Sequence, residues 1–291
     1  MYKILLFYKY VTIDDPEAFR DKHKELCSSL NLKGRIIVAK EGINGTVEGT
    51  ENDTTQYMHI MSADPRFANM HFKISEGTGN AFPKLSIKAR DEIVALKLGD
   101  EDFDPNTTTG KYISAEEFHK LINSNEEFYI IDMRNDYEHD VGHFEGSILP
   151  KMRTFRELPQ CLPEIEHLKN KKVVTVCTGG IRCEKASGYL VLKGFKDVSQ
   201  LYGGIVTYME TYPNQDFLGQ LYVFDGRVVM GFNTDSQEHT TIGRCEHCRV
   251  HTNNYINCTN DECHKHYICC EQCLGENESI PCASCVSVHV N

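Results

Sequence analysis

Cys177 is the residue of this chain whose setting most strongly suggests chemistry. It ends a β-branched apolar run, Val173–Val176, and a glycine-rich stretch separates it from an amphipathic helix. A buried strand that feeds a helix through such a loop turns backbone N–H groups inward at the helix N-terminus, where they favour an anion. The same dipoles favour the thiolate of Cys177, and we expect Arg182 to add a positive charge at the rim. The residues predicted to form this anion cradle are Thr178, Gly179, Gly180 and Ile181.

The spacing between Cys177 and Arg182 indicates what the cradle holds. The arginine comes five positions after the cysteine, one fewer than in the phosphate-binding loops of cysteine phosphatases. So small a ring favours a single sulfur atom on the cysteine over a tetrahedral phosphate. The loop resembles the active-site loop of rhodaneses, whose cysteine carries a persulfide. The alternative is an ordinary core cysteine at the end of a strand, which the two glycines and Arg182 disfavour.

Cys183 stands six positions after Cys177, at the other end of the same loop. Across a closed loop its thiol could approach the first sulfur and act as a resolving thiol. Our hypothesis is that Cys177 forms a persulfide, or a sulfenic or peroxidic adduct, and that Cys183 returns it to the resting state. The alternative is that Cys183 is only a small, buried residue at the start of the helix.

Residues 111–215 alternate predicted strands and helices, which is the pattern of a doubly wound parallel sheet. The resemblance of the loop implies that this is a rhodanese domain. In such sheets ligands bind at the carboxyl ends of the strands, where Cys177 is predicted to lie. A second strand, Phe128–Ile131, leads into Asp132 and Arg134. This Asp-x-Arg pair also resembles the rhodanese pattern. We expect the two side chains to pair and support the loop rather than to take part in catalysis.

Residues 1–98 have the order β-α-β-β-α-β, the split-βαβ arrangement of a ferredoxin- or acylphosphatase-like domain. One face of its sheet should be open, and period-2 geometry places basic residues of the predicted strands on that face. The face would either contact RNA phosphates without reading sequence or be a solvated, lysine-rich surface. The candidates for RNA contact are Arg35, Lys40, Lys73, Lys84, Lys88 and Arg90.

A polar, acidic stretch, residues 99–110, is rich in turn formers and is expected to be a linker. Helix-start signals lie on both sides of it. Asn52 or Asp53 is the expected N-cap of the second N-terminal helix. Ser114 and Glu117 have the spacing of a capping box for the first helix after the linker.

The chain contains 13 cysteines, and nine of them fall between Cys245 and Cys285. Without an export signal, this density favours metal ligands or redox chemistry over structural disulfides. The paired cysteines suit tetrahedral zinc, and so short a segment with few aliphatic residues needs metal for stability. We expect residues 216–291 to form a β-hairpin and a module with two zinc ions. The alternative is a tail of reduced, partly disordered cysteines.

Cross-brace pairing, as in RING domains, would divide eight of the nine cysteines into two metal sites. Cys269, His264 and His266 are alternative ligands. The first predicted set is Cys245, Cys248, Cys270 and Cys273, and the second is Cys258, Cys263, Cys282 and Cys285.

Length and charge limit the functions that the chain can have. Its 291 residues allow two or three domains. The formal net charge of −11 does not attract nucleic acid in bulk, so any such contact needs a local basic patch. No apolar run is long enough for a membrane span, and the N-terminus lacks the features of a signal peptide. We therefore expect a cytoplasmic protein with no membrane or DNA partner.

Two longer motifs are specific to one family. AKEGINGT, residues 39–46, lies in the predicted N-terminal domain, and CTGGIRCEKAS, residues 177–187, contains the cysteine loop. With the cysteine-rich tail, they resemble the bacterial rhodanese-like tRNA uridine 34 hydroxylases over the whole chain. The resemblance implies an oxidoreductase that converts the wobble uridine to 5-hydroxyuridine, with molecular oxygen as co-substrate and the tRNA anticodon region as partner. No motif identifies the electron donor, or an iron, haem or flavin site.

Two other classes of function fit parts of the sequence. A sulfurtransferase would carry persulfide sulfur on Cys177 and exchange it with thiosulfate, thiols or an acceptor protein. Turnover of thiosulfate without RNA or oxygen would favour that class. A noncatalytic, zinc-bearing adaptor would use the rhodanese fold only for binding, and the presence of both Cys177 and Arg182 disfavours it.

Overall fold

The N-terminal part of the chain forms one mixed sheet with two helices on one face. The computed structural model describes residues 1–288, so the last three residues of the predicted 216–291 segment lie outside the described residues. The N-terminal elements are β1 (Tyr2–Tyr10), α1 (Pro16–Ser29), β2 (Lys33–Ala39), β3 (Gly42–Thr50), α2 (Glu51–Ala63), β4 (Lys73–Gly77) and β5 (Leu85–Ala89). The strand order is β4-β1-β3-β2-β5, and only β2 and β5 pair in parallel. The predicted split-βαβ arrangement is confirmed, with β5 added at one edge.

Alternation along β1 divides the two faces of this sheet. Leu5 and Phe7 belong to the core beneath the two helices. Leu6, Tyr8 and Tyr10 point to the other face, because successive side chains of a strand alternate, and they pack against the middle of the chain. The face that was expected to be open is therefore covered in part by the next domain.

The helix caps of this domain differ in one case from the expectation. Asp15 caps α1 by accepting a hydrogen bond from the Ala18 amide. The N-cap of α2 is Thr50, whose hydroxyl accepts from the Asp53 amide at 3.2 Å, so the predicted cap at Asn52 or Asp53 is wrong by a few residues. Asp53 instead accepts a hydrogen bond from the Thr50 hydroxyl.

The middle of the chain is a parallel sheet with a hydrophobic core on each face. Its elements are β6 (Lys111–Ile113), α3 (Ala115–Ile122), β7 (Tyr129–Asp132), α4 (Asp136–His139), β8 (Gly142–Phe144), α5 (Leu158–Ile165), β9 (Lys172–Val176), α6 (Ile181–Leu192), β10 (Asp197–Leu201) and α7 (Gly204–Thr211). The order is β6-β10-β9-β7, with all neighbours parallel. Both halves of the Ser114 and Glu117 capping box are formed. The doubly wound sheet is confirmed, and β9 is one of its two inner strands.

The segment 99–110 packs against α6 instead of crossing solvent. The Thr109 hydroxyl donates to the Glu184 backbone oxygen, and the Gly110 amide donates to the Ser187 hydroxyl at 2.8 Å. Phe103 packs against the core that contains α5 and α6. This connection therefore has a fixed position beside the helix that follows the cysteine loop.

The C-terminal part consists of short elements around buried cysteines. They are β11 (Phe217–Gly219), β12 (Leu221–Tyr222), β13 (Val229–Met230), β14 (Tyr255–Asn257), β15 (His266–Ile268), α8 (Glu271–Leu274) and α9 (Ala283–Val288). β12 and β13 form the predicted hairpin, and β11 pairs with β8 of the middle domain. Within the described residues, no helix has the length and apolar character needed to cross a bilayer.

Candidate active site

Cys177 lies directly after β9, and its sulfur points into the loop that it begins. The Gly180 amide donates a hydrogen bond to Cys177 Sγ at 3.2 Å. Gly180 has a φ of +98°, a left-handed conformation that glycine adopts without strain, and α6 begins at the next residue. The sulfur therefore faces the amides at a helix N-terminus, as the sequence predicted.

The carbonyl side of the loop is held by the start of α7. The Ile205 amide donates to the Cys177 carbonyl oxygen at 2.9 Å, and the Val206 amide donates to the Thr178 carbonyl oxygen at 3.0 Å. A Cβ atom at Gly204 would lie 2.6 Å from the Gly180 nitrogen, so only glycine permits this approach. With its carbonyls bound from outside, the loop keeps its amides directed at the sulfur.

The loop environment gives the thiols of Cys177 and Cys183 very different pKa values. Burial opposes ionisation of Cys177, but the Cys183 thiol, the Arg182 charge and the Cys183 and Gly180 amides together lower its pKa to about 6. Burial and the adjacent Cys177 raise the pKa of the Cys183 thiol well above its usual range. At neutral pH the pair is therefore a thiolate with a neutral thiol donating to it, both without solvent exposure.

Arg182 lies inside the protein rather than at a rim. Its guanidinium binds the Glu138 carboxylate through two hydrogen bonds of 2.5 and 2.8 Å. It also donates to the Thr178 hydroxyl at 3.2 Å, and that hydroxyl donates to Glu138 at 3.2 Å. Arg182 is 7% exposed and Glu138 is fully buried. The positive charge beside Cys177 is thus paired and fixed in place.

Asp132 and Arg134 position the segment that carries Glu138. Their buried side chains pair with a shortest distance of 2.6 Å. Arg134 also donates to the backbone oxygens of Glu138 at 3.2 Å and Gly142 at 2.7 Å. Burial alone would raise the pKa of Asp132, but the Arg134 charge and hydrogen bonds hold it below its usual value. This geometry supports the loop through α4, with neither side chain bound to the cysteine.

The N-terminal sheet covers the cysteine loop. A Cβ atom at Gly179 would lie 2.9 Å from the Leu6 side chain, and one at Gly180 would lie 2.9 Å from the Tyr8 hydroxyl oxygen. Lys185 of the loop motif pairs with Glu41 of the AKEGINGT motif at 2.8 Å and with Glu92 at 2.6 Å. The two motifs that were recognised separately therefore form one interface between domains.

Glu184 is a second contact between the domains that sequence reasoning missed. Its buried carboxylate accepts hydrogen bonds from the hydroxyls of Tyr8 at 2.9 Å and Tyr112 at 3.0 Å, and from the Gln200 amide at 3.1 Å. Glu138 was missed as well. Both are acidic residues in polar stretches, and no local spacing signalled that either would be buried beside the loop.

The predicted basic residues do not share one environment. Arg35, Lys40, Lys84, Lys88 and Arg90 are exposed, and the strand register places Arg35 opposite Ser86 and Lys88 opposite Ile37 on the same face. Lys73 is only 7% exposed and lies under the cysteine loop, with its ammonium 4.9 Å from the centre of the Tyr8 ring. The prediction that Lys73 contacts RNA from an open surface is therefore wrong, because the next domain covers its part of the sheet.

The structure brings the eight predicted metal ligands together in the two predicted sets. Within each set the four sulfurs lie within 4.8 Å of one another. Cys248 Sγ and Cys270 Sγ are 3.5 Å apart, and Cys263 Sγ and Cys282 Sγ are 3.7 Å apart. Tetrahedral zinc, with Zn–S bonds of about 2.3 Å, requires sulfurs about 3.8 Å apart. Both sets fit such an ion.

Backbone amides that donate hydrogen bonds to these sulfurs also suit a metal site. The Cys273 amide donates to Cys270 Sγ at 3.4 Å, and the Cys282 amide donates to Cys258 Sγ at 3.3 Å. Such bonds stabilise the thiolate form that binds metal. Of the alternative ligands, Cys269 is buried outside both sets, and His266 stacks on Tyr255 with ring centres 4.8 Å apart.

Comparison with known families assigns all three parts of the chain. Residues 2–93 match the UPF0176 acylphosphatase like domain, residues 114–211 the Rhodanese-like domain, and residues 218–286 the Rhodanase C-terminal family. The fold and the cysteine loop therefore define a multidomain protein of the rhodanese class.

Whole-chain relatives make the assignment more specific. A tRNA uridine(34) hydroxylase of Bacillus cytotoxicus is 50% identical over 93% of this chain and 83% of its own length. Those of Bacillus licheniformis and Bacillus cereus are 50% and 49% identical over 93% of this chain and over 84% and 85% of their own lengths. The chain belongs to the tRNA uridine(34) hydroxylase family. Nothing in these matches favours the sulfurtransferase alternative.

Proposed function

We propose that this protein hydroxylates uridine 34 of tRNA at C5, with molecular oxygen as co-substrate and Cys177 as the catalytic residue. The observation that carries the proposal is the hydrogen bond from the Gly180 amide to Cys177 Sγ, in a chain about half identical to tRNA uridine(34) hydroxylases. It gives a cysteine thiolate fixed by amides at the carboxyl end of an inner strand, which is where sheets of this kind place their chemistry.

The Cys177 and Cys183 pair can account for the electrons. Placing one atom of O2 on C5 and releasing the other as water requires two electrons and two protons. Oxidation of the Cys177 thiolate and the Cys183 thiol to a disulfide supplies both electrons and one proton, and solvent supplies the second proton. An external reductant, probed with dithiothreitol, then restores the thiols. The thiols already interact in the buried loop, where Cys183 lowers the pKa of Cys177. Cys183 is thus proposed as the resolving thiol.

Arg182 is proposed to stabilise the thiolate and its oxygen adducts. Its guanidinium keeps Cys177 charged, while Glu138 and Thr178 fix its position. Asp132 and Arg134 do not contact the cysteine and are proposed to act by fixing the position of α4, which carries Glu138. The domain boundaries that accompany this proposal are 1–98, 99–110 as the connection, 111–215 and 216–291.

The remaining parts are proposed to recognise RNA and to maintain the fold. The five exposed basic residues of the N-terminal domain would contact phosphates of the anticodon region. Two zinc ions in the two cysteine sets would hold the C-terminal part together, because its core consists largely of the ligands themselves. A substrate of this kind places the protein in the cytoplasm.

The test is nucleoside analysis by mass spectrometry with purified, zinc-loaded protein and unmodified tRNA. Under 18O2 with dithiothreitol, we expect 5-hydroxyuridine that carries the label. Cys177→Ser should abolish the product, and Cys183→Ser should permit at most one turnover. Cys27→Ser, a buried cysteine in the separate core of the N-terminal domain, is the matched control and should retain activity. Product from Cys177→Ser, or none from wild-type protein, would refute the proposal.

A further inference from the structure

A small cavity lies where the N-terminal sheet, the cysteine loop and the C-terminal hairpin meet. Its volume is about 50 Å³, room for roughly four water molecules at the usual 10–15 Å³ each. Leu6 and Lys73 come from the sheet, Thr178 from the loop, and Phe224 from the turn of the hairpin. Thr178 follows Cys177 directly, so the cavity adjoins the cysteine loop.

Lys73 is the buried charged group of this cavity that has no acceptor among the described residues. Its side chain is more than nine-tenths buried, and among residues 1–288 its ammonium forms no hydrogen bond or ion pair; its nearest recorded contact is the face of Tyr8. The ammonium keeps a little solvent contact, but a largely desolvated ammonium without a protein acceptor is still costly. Burial accordingly lowers the pKa of Lys73 to about 8, although Cys177 and Glu184 oppose that shift. The arrangement indicates an acceptor oxygen that arrives with a ligand.

Four other polar residues of the cavity already have partners, whereas Thr46 and the exposed Glu210 line it without a side-chain hydrogen bond to the described residues. Arg227 is bound to Asp225 and to the Ser75 hydroxyl. The Thr178 hydroxyl donates to Glu138. The ligand must therefore be mainly apolar on its faces, with a hydrogen-bond acceptor at the edge that meets Lys73. A phosphate group does not fit this description, whereas a pyrimidine ring with carbonyl oxygens does.

Phe224 provides a stacking surface at the mouth of the cavity. It is 46% exposed and also lines the cavity. Its ring lies 5.9 Å from the Arg182 guanidinium and 5.3 Å from the Tyr222 ring. Exposed aromatic side chains of this kind are what single-stranded RNA binders use to stack an unpaired base.

We propose that this cavity binds the extruded target uracil, with Lys73 donating to a carbonyl oxygen of the base and Phe224 covering its ring. The inference rests on the proposed function and adds the residues that recognise the base. The cavity is smaller than a pyrimidine, so Phe224 must turn aside for the base to enter, a side-chain change that is common at interfaces.

The test is RNA binding under anaerobic conditions, which does not depend on turnover. Full-length, zinc-loaded protein is titrated with an anticodon stem-loop that has either uridine or an abasic site at position 34. Stacking contributes about 1–3 kcal/mol per base, so wild-type protein should prefer the uridine RNA about tenfold. Phe224→Ala and Lys73→Met should lose this preference but bind the abasic RNA like wild type. The matched controls, Leu192→Ala and Lys24→Met, should keep it.

Two results would overturn the proposal. One is equal binding of both RNAs by wild-type protein, and the other is an unchanged preference for the uridine RNA in both variants. If a variant also binds the abasic RNA more weakly than wild type, the substitution has disturbed more than base recognition. The milder variants Phe224→Leu and Lys73→Gln are then tested in its place. As an independent check, 4-thiouridine at position 34 should crosslink wild-type protein at the peptide of Phe224 or Lys73; a crosslink confined to the cysteine-rich module would refute the cavity. Failure of hydroxylation with base-dependent binding intact would refute the proposed function alone.

Discussion

The chain uses cysteine in two ways, and the contrast lies in what stabilises the thiolate. In the loop, Cys177 is surrounded by protein, with amides, an arginine and a neighbouring thiol favouring its charge. In the C-terminal module, cysteines meet in fours, and little apolar material surrounds them. A thiolate held by fixed dipoles keeps its lone pairs for chemistry, whereas a thiolate shared with zinc is inert. On the proposed function, the same residue type is reactive in one region and structural in the other.

Removing one metal ligand should have the largest effect on this contrast. Cys258→Ser breaks a set of four sulfurs, and structural zinc contributes on the order of 10 kcal/mol of folding free energy. We expect bound zinc, measured by elemental mass spectrometry, to fall from two ions per chain to one, with local unfolding of residues around β14 and β15. Cys269→Ser, a buried cysteine outside both sets, should retain two ions. Two ions in Cys258→Ser would contradict the assignment.

The buried pair beside Cys177 should have the next largest effect. Glu138→Gln leaves the Arg182 guanidinium buried without its carboxylate, which typically costs about 3–5 kcal/mol. We expect a lower midpoint of urea unfolding and, because a negative charge is lost, a pKa of Cys177 still further below its usual value. Arg182→Met should raise that pKa instead. Thiolate absorbance in the ultraviolet, taken as a difference from Cys177→Ser, measures both. Identical shifts in the two variants would show that the charge does not act on the sulfur.

The sequence predicts the local geometry of both cysteine regions but not the distant residues that surround the loop. The cysteine pairs and the loop follow from short spacings, since ligands two residues apart or a glycine-rich turn define their own geometry. The combination of the pairs into two sets rests on the cross-brace pattern of RING domains and is confirmed by the structure. Glu138 and Glu184 could not be foreseen, because their partners lie 44 residues away at Arg182 and 176 residues away at Tyr8. Lys73 was identified by its alternation on a strand, which predicts the face correctly and says nothing of what covers it.

The pH dependence of stability offers a finer comparison. The pKa of Cys177 is about 6 in the folded protein and 9.0 in its ordinary state. Between these values the unfolded chain binds more protons, so the thiolate's contribution to stability grows as pH rises from about 6 to 9 and is lost as pH falls through 6. Relative to Cys177→Ser, wild-type protein should gain about 2 kcal/mol between pH 6.5 and 8.5. Zinc binding changes equally in both proteins and cancels; a constant difference in urea midpoint would refute the low pKa.

The smallest expected effect concerns the contact between the N-terminal sheet and the cysteine loop. Lys185 ties α6 to Glu41 and Glu92, so Lys185→Met removes the charged contact that holds the N-terminal sheet over Cys177. We expect iodoacetamide to modify Cys177 several-fold faster in this variant, as measured by peptide mass spectrometry, because transient opening becomes more frequent. Lys193→Met, at the C-cap of the same helix and with an exposed partner in Glu101, is the control and should leave the rate unchanged. The zinc-bound cysteines should react at the same rate in all three proteins, because their protection comes from metal and not from a neighbouring domain.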